Sequence, residues 1–161
     1  MTDALPVVNL AVHGDEEDIL DLLRARHLEH GSPCRWDDDR VRINVRLGTA
    51  QQSGVIGVVR GERGVEASVG LFPCTEWYSW EPILHDRWFF VHPHFRQSNH
   101  AKGLLAFSKQ IAKGLGLQLR LTEIGDPANG LIRFLSRHSV PIGGMFVYDG
   151  RQKGEQLAAA S

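Results

Sequence analysis

VHPHFRQSNHAKGLLAFSKQIAKG, Val91 to Gly114, runs a short apolar strand into a basic polar loop and then into an amphipathic helix. The loop Arg96, Gln97, Ser98, Asn99, His100, Ala101, with Lys102 behind it, stands where the first N–H groups of a helix lack intrahelical partners. The helix macrodipole favours negative charge at the same place, so the segment reads as a seat for a phosphate or pyrophosphate. One arginine between a strand and a helix also describes an ordinary βα turn, and the rest of the chain has to decide between the two.

Downstream, Ala101, Leu104, Leu105, Ser108, Ile111, Ala112 and Leu115 fall on one stripe at helical spacing, and Gly114 and Gly116 end the helix. Leu117 to Thr122 reads as a strand. Asp126-Pro127 predicts the cap and first position of a further helix, with Leu131, Ile132, Phe134 and Leu135 as its apolar face, and Met145 to Tyr148 is the last strand candidate. Upstream, Trp88 to Val91 is the strand before the loop. Gly54 to Arg60 and Val65 to Phe72 are β-rich runs around Gly61, Glu62, Arg63 and Gly64, the pattern of an antiparallel hairpin. Leu5 to Val12 reads as the first strand. Asp15 follows as an N-cap, with Glu16, Glu17 and Asp18 in the first turn of a helix that buries Ile19, Leu20, Leu23 and His27 and stops at Gly31, Ser32 and Pro33.

A chain of 161 residues with 42% hydrophobic content supports one compact domain with a sizeable core. The formal net charge of −1 gives no global field for nucleic acid or an anionic membrane. Cys34 and Cys74 lack CxxC spacing, and neither a signal peptide nor an apolar run of membrane length is present, so the chain reads as cytoplasmic with free thiols.

On Val91, Pro93, Arg96, Asn99 and Ala101 the opening segment resembles the GNAT N-acetyltransferase superfamily, whose coenzyme A loop follows a strand ending in V-x-P and reads Arg/Gln-x-x-Gly-x-Gly/Ala. Asn99 replaces the first glycine of that pattern, and of non-glycine residues Asn best tolerates left-handed backbone angles. VRINVRL, Val41 to Leu47, alternates like a strand, whereas Asp37 to Asp39 suggest a helix start; the resemblance implies the helix. The order β-α-α-β-β-β-α-β-α-β then matches the superfamily over residues 5–150. It implies an α/β (α+β) fold with a mixed, mostly antiparallel twisted sheet of six to seven strands and helices on both faces. It further implies that residues 1–150 form an acyl-CoA N-acyltransferase domain, followed over 151–161 by a polar, then alanine-rich stretch that reads as a tail. Asn129 matches a family asparagine early in the fourth helix, but Leu135 takes the place of the usual tyrosine and Ser139-Val140 that of Gly-Phe.

The resemblance implies direct transfer of an acetyl group from the cosubstrate acetyl-CoA to an amine acceptor, without a metal. Transfer needs a neutral amine, an oxyanion donor and a route for the leaving thiolate. The implied cofactor residues are Phe90 and Val91, whose backbone N–H groups would meet the pantetheine and the thioester carbonyl, then Arg96, Gln97, Ser98, Asn99, His100, Ala101, Lys102 and Asn129. Some histone-modifying relatives carry a Glu six residues before the strand valine, where this chain has His85, a group whose ordinary pKa suits a base. Asp86, Glu81 and Glu66 could act through water; with Leu135 at the usual tyrosine position, either Tyr148 or water protonates the CoA thiolate, or the thiolate departs unassisted. The plain alternative for His85 is a solvated loop residue ahead of a strand.

Two histidine groups, His85 with His92, His94 and His100, and His27 with His30 and Cys34, lack the recurrent spacing of a zinc site. Trp77, Tyr78 and Trp80 read first as a core flap or a dimer contact between two copies, and second as part of an acceptor wall. Arg24, Arg26, Arg40, Arg42 and Arg46 are interspersed with acids, which favours a solvated helix face over a nucleic-acid groove. The alternatives to the transferase are a non-catalytic CoA-binding module and a GNAT-related nucleic-acid modifier.

Overall fold

The computed structural model describes residues 4–31, 34–123 and 130–143. The chain divides into two compact units, Met1–Glu123 and Ile124–Ser161. The first contains β1 (Asn9–Leu10), α1 (Glu16–His30), α2 (Asp38–Thr49), β2 (Val55–Gly61), β3 (Gly64–Thr75), β4 (Pro82–Val91), α3 (His100–Leu115) and β5 (Gln118–Arg120); in the second, α4 spans Gly130–His138. This is an α+β fold. Among the described residues the sheet has five strands in the order β1-β2-β3-β4-β5, rather than the expected six to seven. The Met145–Tyr148 strand candidate lies outside the described residues, as do the Asp126-Pro127 cap and the tail.

Strands β1 to β4 pair antiparallel, and β5 joins β4 parallel. The first strand is much shorter than the Leu5–Val12 run, with only Asn9 and Leu10 in register with Val58 and Gly57. Pro6 explains part of this: it has no N–H to give a ladder, and it lies on α3, where a Cβ on Gly103 would come within 2.7 Å of its Cγ. The Gly61–Gly64 hairpin forms as read. Two bulges interrupt the sheet, one leaving Glu66 and the other leaving Arg87 without an opposite residue.

Helices cover both faces. Ile19, Leu20 and Leu23 of α1 and Val45 of α2 pack with Ile56, Val58, Phe72 and Trp88, and Val41 and Trp36 seal the edge. On the other face Leu104, Leu105, Ser108 and Ala112 of α3 are buried, and Phe107 closes on Gly57. Leu115, read as part of that stripe, is exposed. The alternating run Val41–Leu47 is helical because Asp37 caps it, its side chain accepting from the Arg40 N–H at 3.0 Å. Val41 and Val45, four apart, then face the core, while Ile43 points outward.

Helices α1 and α3 end on Gly31 and Gly116 at φ +58° and +67°, left-handed angles that glycine reaches without steric cost. Asp15 does occupy the N-cap position of α1, yet its side chain makes no capping bond within that helix. It turns back to accept from the Val12 N–H at 2.7 Å and from Arg60. In α4, Leu131, Ile132, Phe134 and Leu135 are half-buried and the intervening Arg133 is exposed, the face that the sequence predicts.

Candidate active site

Parallel pairing between β4 and β5 covers only Ile83–His85 against Gln118–Arg120, after which the strands part. Such a fork at the carboxyl ends of two parallel strands is where open α/β sheets receive ligands. Asp86 stands at its apex, 3% exposed, and its Oδ1 accepts from the Thr122 N–H at 2.7 Å where a ladder bond would otherwise lie. Its Oδ2 has no hydrogen-bond partner. Burial pushes the Asp86 carboxyl up to about 6, against the opposing pull of the Thr122 N–H, His85 and Arg26.

Three residues past β5 lies Glu123, with a side chain 4% exposed and neither carboxylate oxygen hydrogen-bonded. Burial pushes it up to about 7; Arg26 and Arg96 pull it down, and the acids Asp86 and Glu29 push it further up. His30 Nε2, at the end of α1, is 3.4 Å from Glu123 Oε1, and its ring meets the Phe90 ring edge-on. The buried Arg26 Nε, one turn earlier on α1, also lacks a hydrogen-bond partner. A buried polar group without a partner costs stability, which singles this cluster out as the candidate site.

His85 is on β4 rather than in a loop ahead of a strand, because β4 begins at Pro82 and not at Trp88. Its Nδ1 lies 2.5 Å from the Asp86 carbonyl oxygen, which can only accept, so Nδ1 carries a proton. Nε2 lies 3.0 Å from Thr122 Oγ1, placed to accept from that hydroxyl. Both ring nitrogens are thus occupied. Of the other acids, Glu81 is exposed in the β3–β4 connection and Glu66 is on β3. Tyr148 and Asn129 lie outside the described residues.

Phe90 and Val91 are buried at the end of β4, paired with Ser68 and Ala67 along the β3 edge. A short 3-10 turn, Pro93–Phe95, carries the chain to the α3 N-terminus. There Ser98 N–H donates to Phe95 O and His100 N–H to Ser98 Oγ, while the N–H groups of Gln97, Asn99, Ala101 and Lys102 have no partner among the described residues. These four are the donors an anion would use. Asn99 is at φ −85°, ψ 13°, not left-handed, so the missing glycine does not strain this loop. His100 turns inward, its Nε2 2.7 Å from Glu66 Oε2 and its ring stacked on Phe95. Arg96, expected at a phosphate, instead holds both oxygens of Glu29 at 2.6 Å.

Among the described residues no group of three His, Cys, Asp or Glu side chains could hold a metal ion. Trp77 and Trp80 are 93% and 95% exposed, which removes the core-flap reading. Their loop is tied to β5 by an Arg120–Glu76 ion pair. The arginines of α1 and α2 largely form a paired surface: Arg24 with Asp21 and Asp38, Arg42 with Glu17 and Asp38, Arg46 with Glu16.

Glu123 is the residue that sequence reasoning missed. A signal existed: a lone carboxylate directly after the strand that pairs parallel to β4 sits at the carboxyl end of a topological switch. Reading the strand only to Thr122 left it out.

No protein-family model and no curated protein matches the sequence. Solved structures do match across most of the chain, many of them GNAT acetyltransferases. A GNAT family acetyltransferase from Staphylococcus aureus subsp. aureus USA300_TCH1516 superposes with a TM-score of 0.61 at 17% identity, covering 91% of this chain and 99% of that one. The ribosomal-protein-alanine N-acetyltransferase of Brucella melitensis biovar Abortus 2308 gives 0.69 at 15% identity, over 91% and 98%. A predicted acetyltransferase with acetyl-CoA from Clostridium acetobutylicum gives 0.72 at 11%, over 89% and 95%. The fold is therefore GNAT-like.

Proposed function

We propose that residues 1–150 form an acetyl-CoA-dependent N-acetyltransferase that moves an acetyl group directly to an amine. One observation carries this reading: the β4–β5 fork holds buried, under-bonded carboxylates, and the chain that leaves β4 reaches the N-terminus of α3 with four unpartnered N–H groups. The pyrophosphate would sit on the N–H groups of Gln97, Asn99, Ala101 and Lys102, and pantetheine would run along the open edge of β4 past Val91 and Phe90. There a backbone N–H would polarise the thioester carbonyl as the amine attacks. Likeness to a structure solved with acetyl-CoA supports the cosubstrate, and likeness to an alanine N-acetyltransferase supports the transfer. Among the described residues no helix is long and apolar enough to cross a membrane.

Acetyl-CoA at about a hundredfold over its Kd should add about 3 kcal/mol, a shift of several degrees in Tm, since only the folded loop presents these donors. Arg96→Ala should weaken that binding without unfolding the protein. No shift with either acetyl-CoA or CoA would remove the reading. A normal shift with no transfer to any amine would favour the CoA-binding module, which the engagement of Arg96 by Glu29 also suits.

A further inference from the structure

We propose that Glu123 takes the proton from the incoming ammonium group, with His30, whose Nε2 stands 3.4 Å from Glu123 Oε1, as the positioning residue beside it; this rests on the transferase reading above. Among the carboxylates of the described structure, Glu123 alone is buried with both oxygens free of hydrogen bonds. A carboxylate kept only to hold the fold would be bonded or replaced, because leaving one buried and unpaired is costly. Asp86 has only one free oxygen, its other being fixed to the Thr122 N–H at the apex of the fork. His85 spends both nitrogens on Asp86 O and Thr122 Oγ1.

Among the described residues the charged and titratable groups around Glu123 come from three places: Arg26, Glu29 and His30 belong to α1, Asp86, with His85 beside it, to β4, and Arg96 to the loop after β4. Two acids, Asp86 and Glu29, disfavour its ionisation, and two arginines favour it. A carboxyl that titrates near neutrality is half-ionised at working pH and can both accept and return a proton.

The step balances as follows. The ammonium of the acceptor gives one proton to the Glu123 carboxylate, leaving a neutral amine and a carboxylic acid. The nitrogen lone pair forms the C–N bond to the thioester carbon; on collapse the C–S bond breaks with its electron pair on sulfur. The second proton on nitrogen goes to the thiolate, giving amide and free CoA thiol, and Glu123 returns its proton to solvent.

The experiment measures CoA release from acetyl-CoA with two probes, n-butylamine, protonated at neutral pH, and hydroxylamine, largely neutral there. Wild type should show an ascending pH limb near neutrality with butylamine only. Glu123→Gln should lose butylamine turnover by roughly 10²- to 10⁴-fold together with that limb, while keeping acetyl-CoA affinity and hydroxylamine turnover. Glu123→Asp should restore part of the rate, and His30→Gln should move the limb without abolishing turnover. His85→Gln should leave the limb in place. In wild-type protein labelled with carboxyl-¹³C glutamate, the resonance absent from Glu123→Gln should titrate near neutrality, which needs no folding of a variant. Full butylamine turnover in Glu123→Gln, loss of the limb in His85→Gln, or a Glu123 carboxyl titrating in the ordinary range would each overturn the assignment alone. A wild-type protein that binds acetyl-CoA and acetylates neither probe would overturn both the transferase reading and this one.

Discussion

Two pairs of buried acids lie at different places in the first unit, and they are treated in opposite ways. Asp15 and Glu16, where β1 hands over to α1, are fully bonded: Asp15 by Arg60 at 2.5 and 2.7 Å and by the Val12 N–H, Glu16 by His13, Thr49 and Arg46. The Arg60 hydrogen bonds hold Asp15 below its usual range against desolvation. For Glu16 burial is the largest single influence and raises it, but His13, Thr49 and Arg46 together outweigh it. Asp86 and Glu123 lie deeper among protein atoms and are left under-bonded, so burial wins and both are raised. The difference separates carboxylates that hold the fold from carboxylates held by it.

The sharpest way to break that comparison is to remove one member of the first pair. Asp15→Ala leaves Arg60 without its partner and strips the Val12 N–H of its acceptor, which should cost about 3 kcal/mol. For a chain of this size the loss corresponds to a fall in Tm of about 10 °C, read by calorimetry. A change below about 0.5 kcal/mol would mean that the pair is surface decoration.

Glu123→Gln should move stability the other way, and only on one side of neutrality. The folded carboxyl is raised from 4.5 to about 7, so its stabilising contribution is complete below the unfolded value and is lost as pH rises through about 7. Above that pH the wild-type protein carries a charge that costs up to about 3 kcal/mol, at 1.36 kcal/mol per unit. The amide carries none. The variant should therefore be more stable at about pH 8 and indistinguishable near about pH 4, in chemical denaturation at the two values. Asp86 adds to the same trend in wild type, while the depressed Asp15 and Glu16 lose their contribution as pH falls through their folded values. The wild-type curve should thus peak on the acid side of neutrality. A peak above about pH 8 would contradict the raised pair.

Much of this architecture was legible in the sequence, because helix ends and hairpins have local signals: the glycines after α1 and α3, Asp37 before α2, and Gly61–Gly64 between β2 and β3. The loop proposed to take an anion was marked by the same kind of local signal. Val41–Leu47 was legible as a helix only through its cap and the resemblance, since its local period of two, with Arg42, Asn44 and Arg46 alternating with apolar residues, reads as a strand. Glu123 was passed over for a different reason. Its role depends on β5 being parallel to β4 and on the ladder stopping at His85, and strand direction is a non-local property that no window around residue 123 contains. Arg96 was found by motif, but its Glu29 partner is 67 residues away.

Glu29 supplies the finest test of the comparison, because it is a third kind of acid: half-exposed, and paired to a residue of the proposed phosphate site. Its bond to Arg96 is well formed, yet both side chains reach solvent, so the pair should add no more than about 0.5 kcal/mol to stability. Its effect should fall on binding instead. While Glu29 occupies the guanidinium, an incoming pyrophosphate must displace one anion before Arg96 can serve another, and Glu29→Gln removes the competitor. The variant should leave Tm within about a degree of wild type and lower the acetyl-CoA Kd a few-fold at low salt, the gain shrinking as ionic strength rises. Isothermal titration at two salt concentrations reads both effects. If Glu29→Gln weakens binding, Glu29 positions Arg96 for the ligand instead of withholding it, and the acid then belongs with the bonded pair near β1 rather than with the fork.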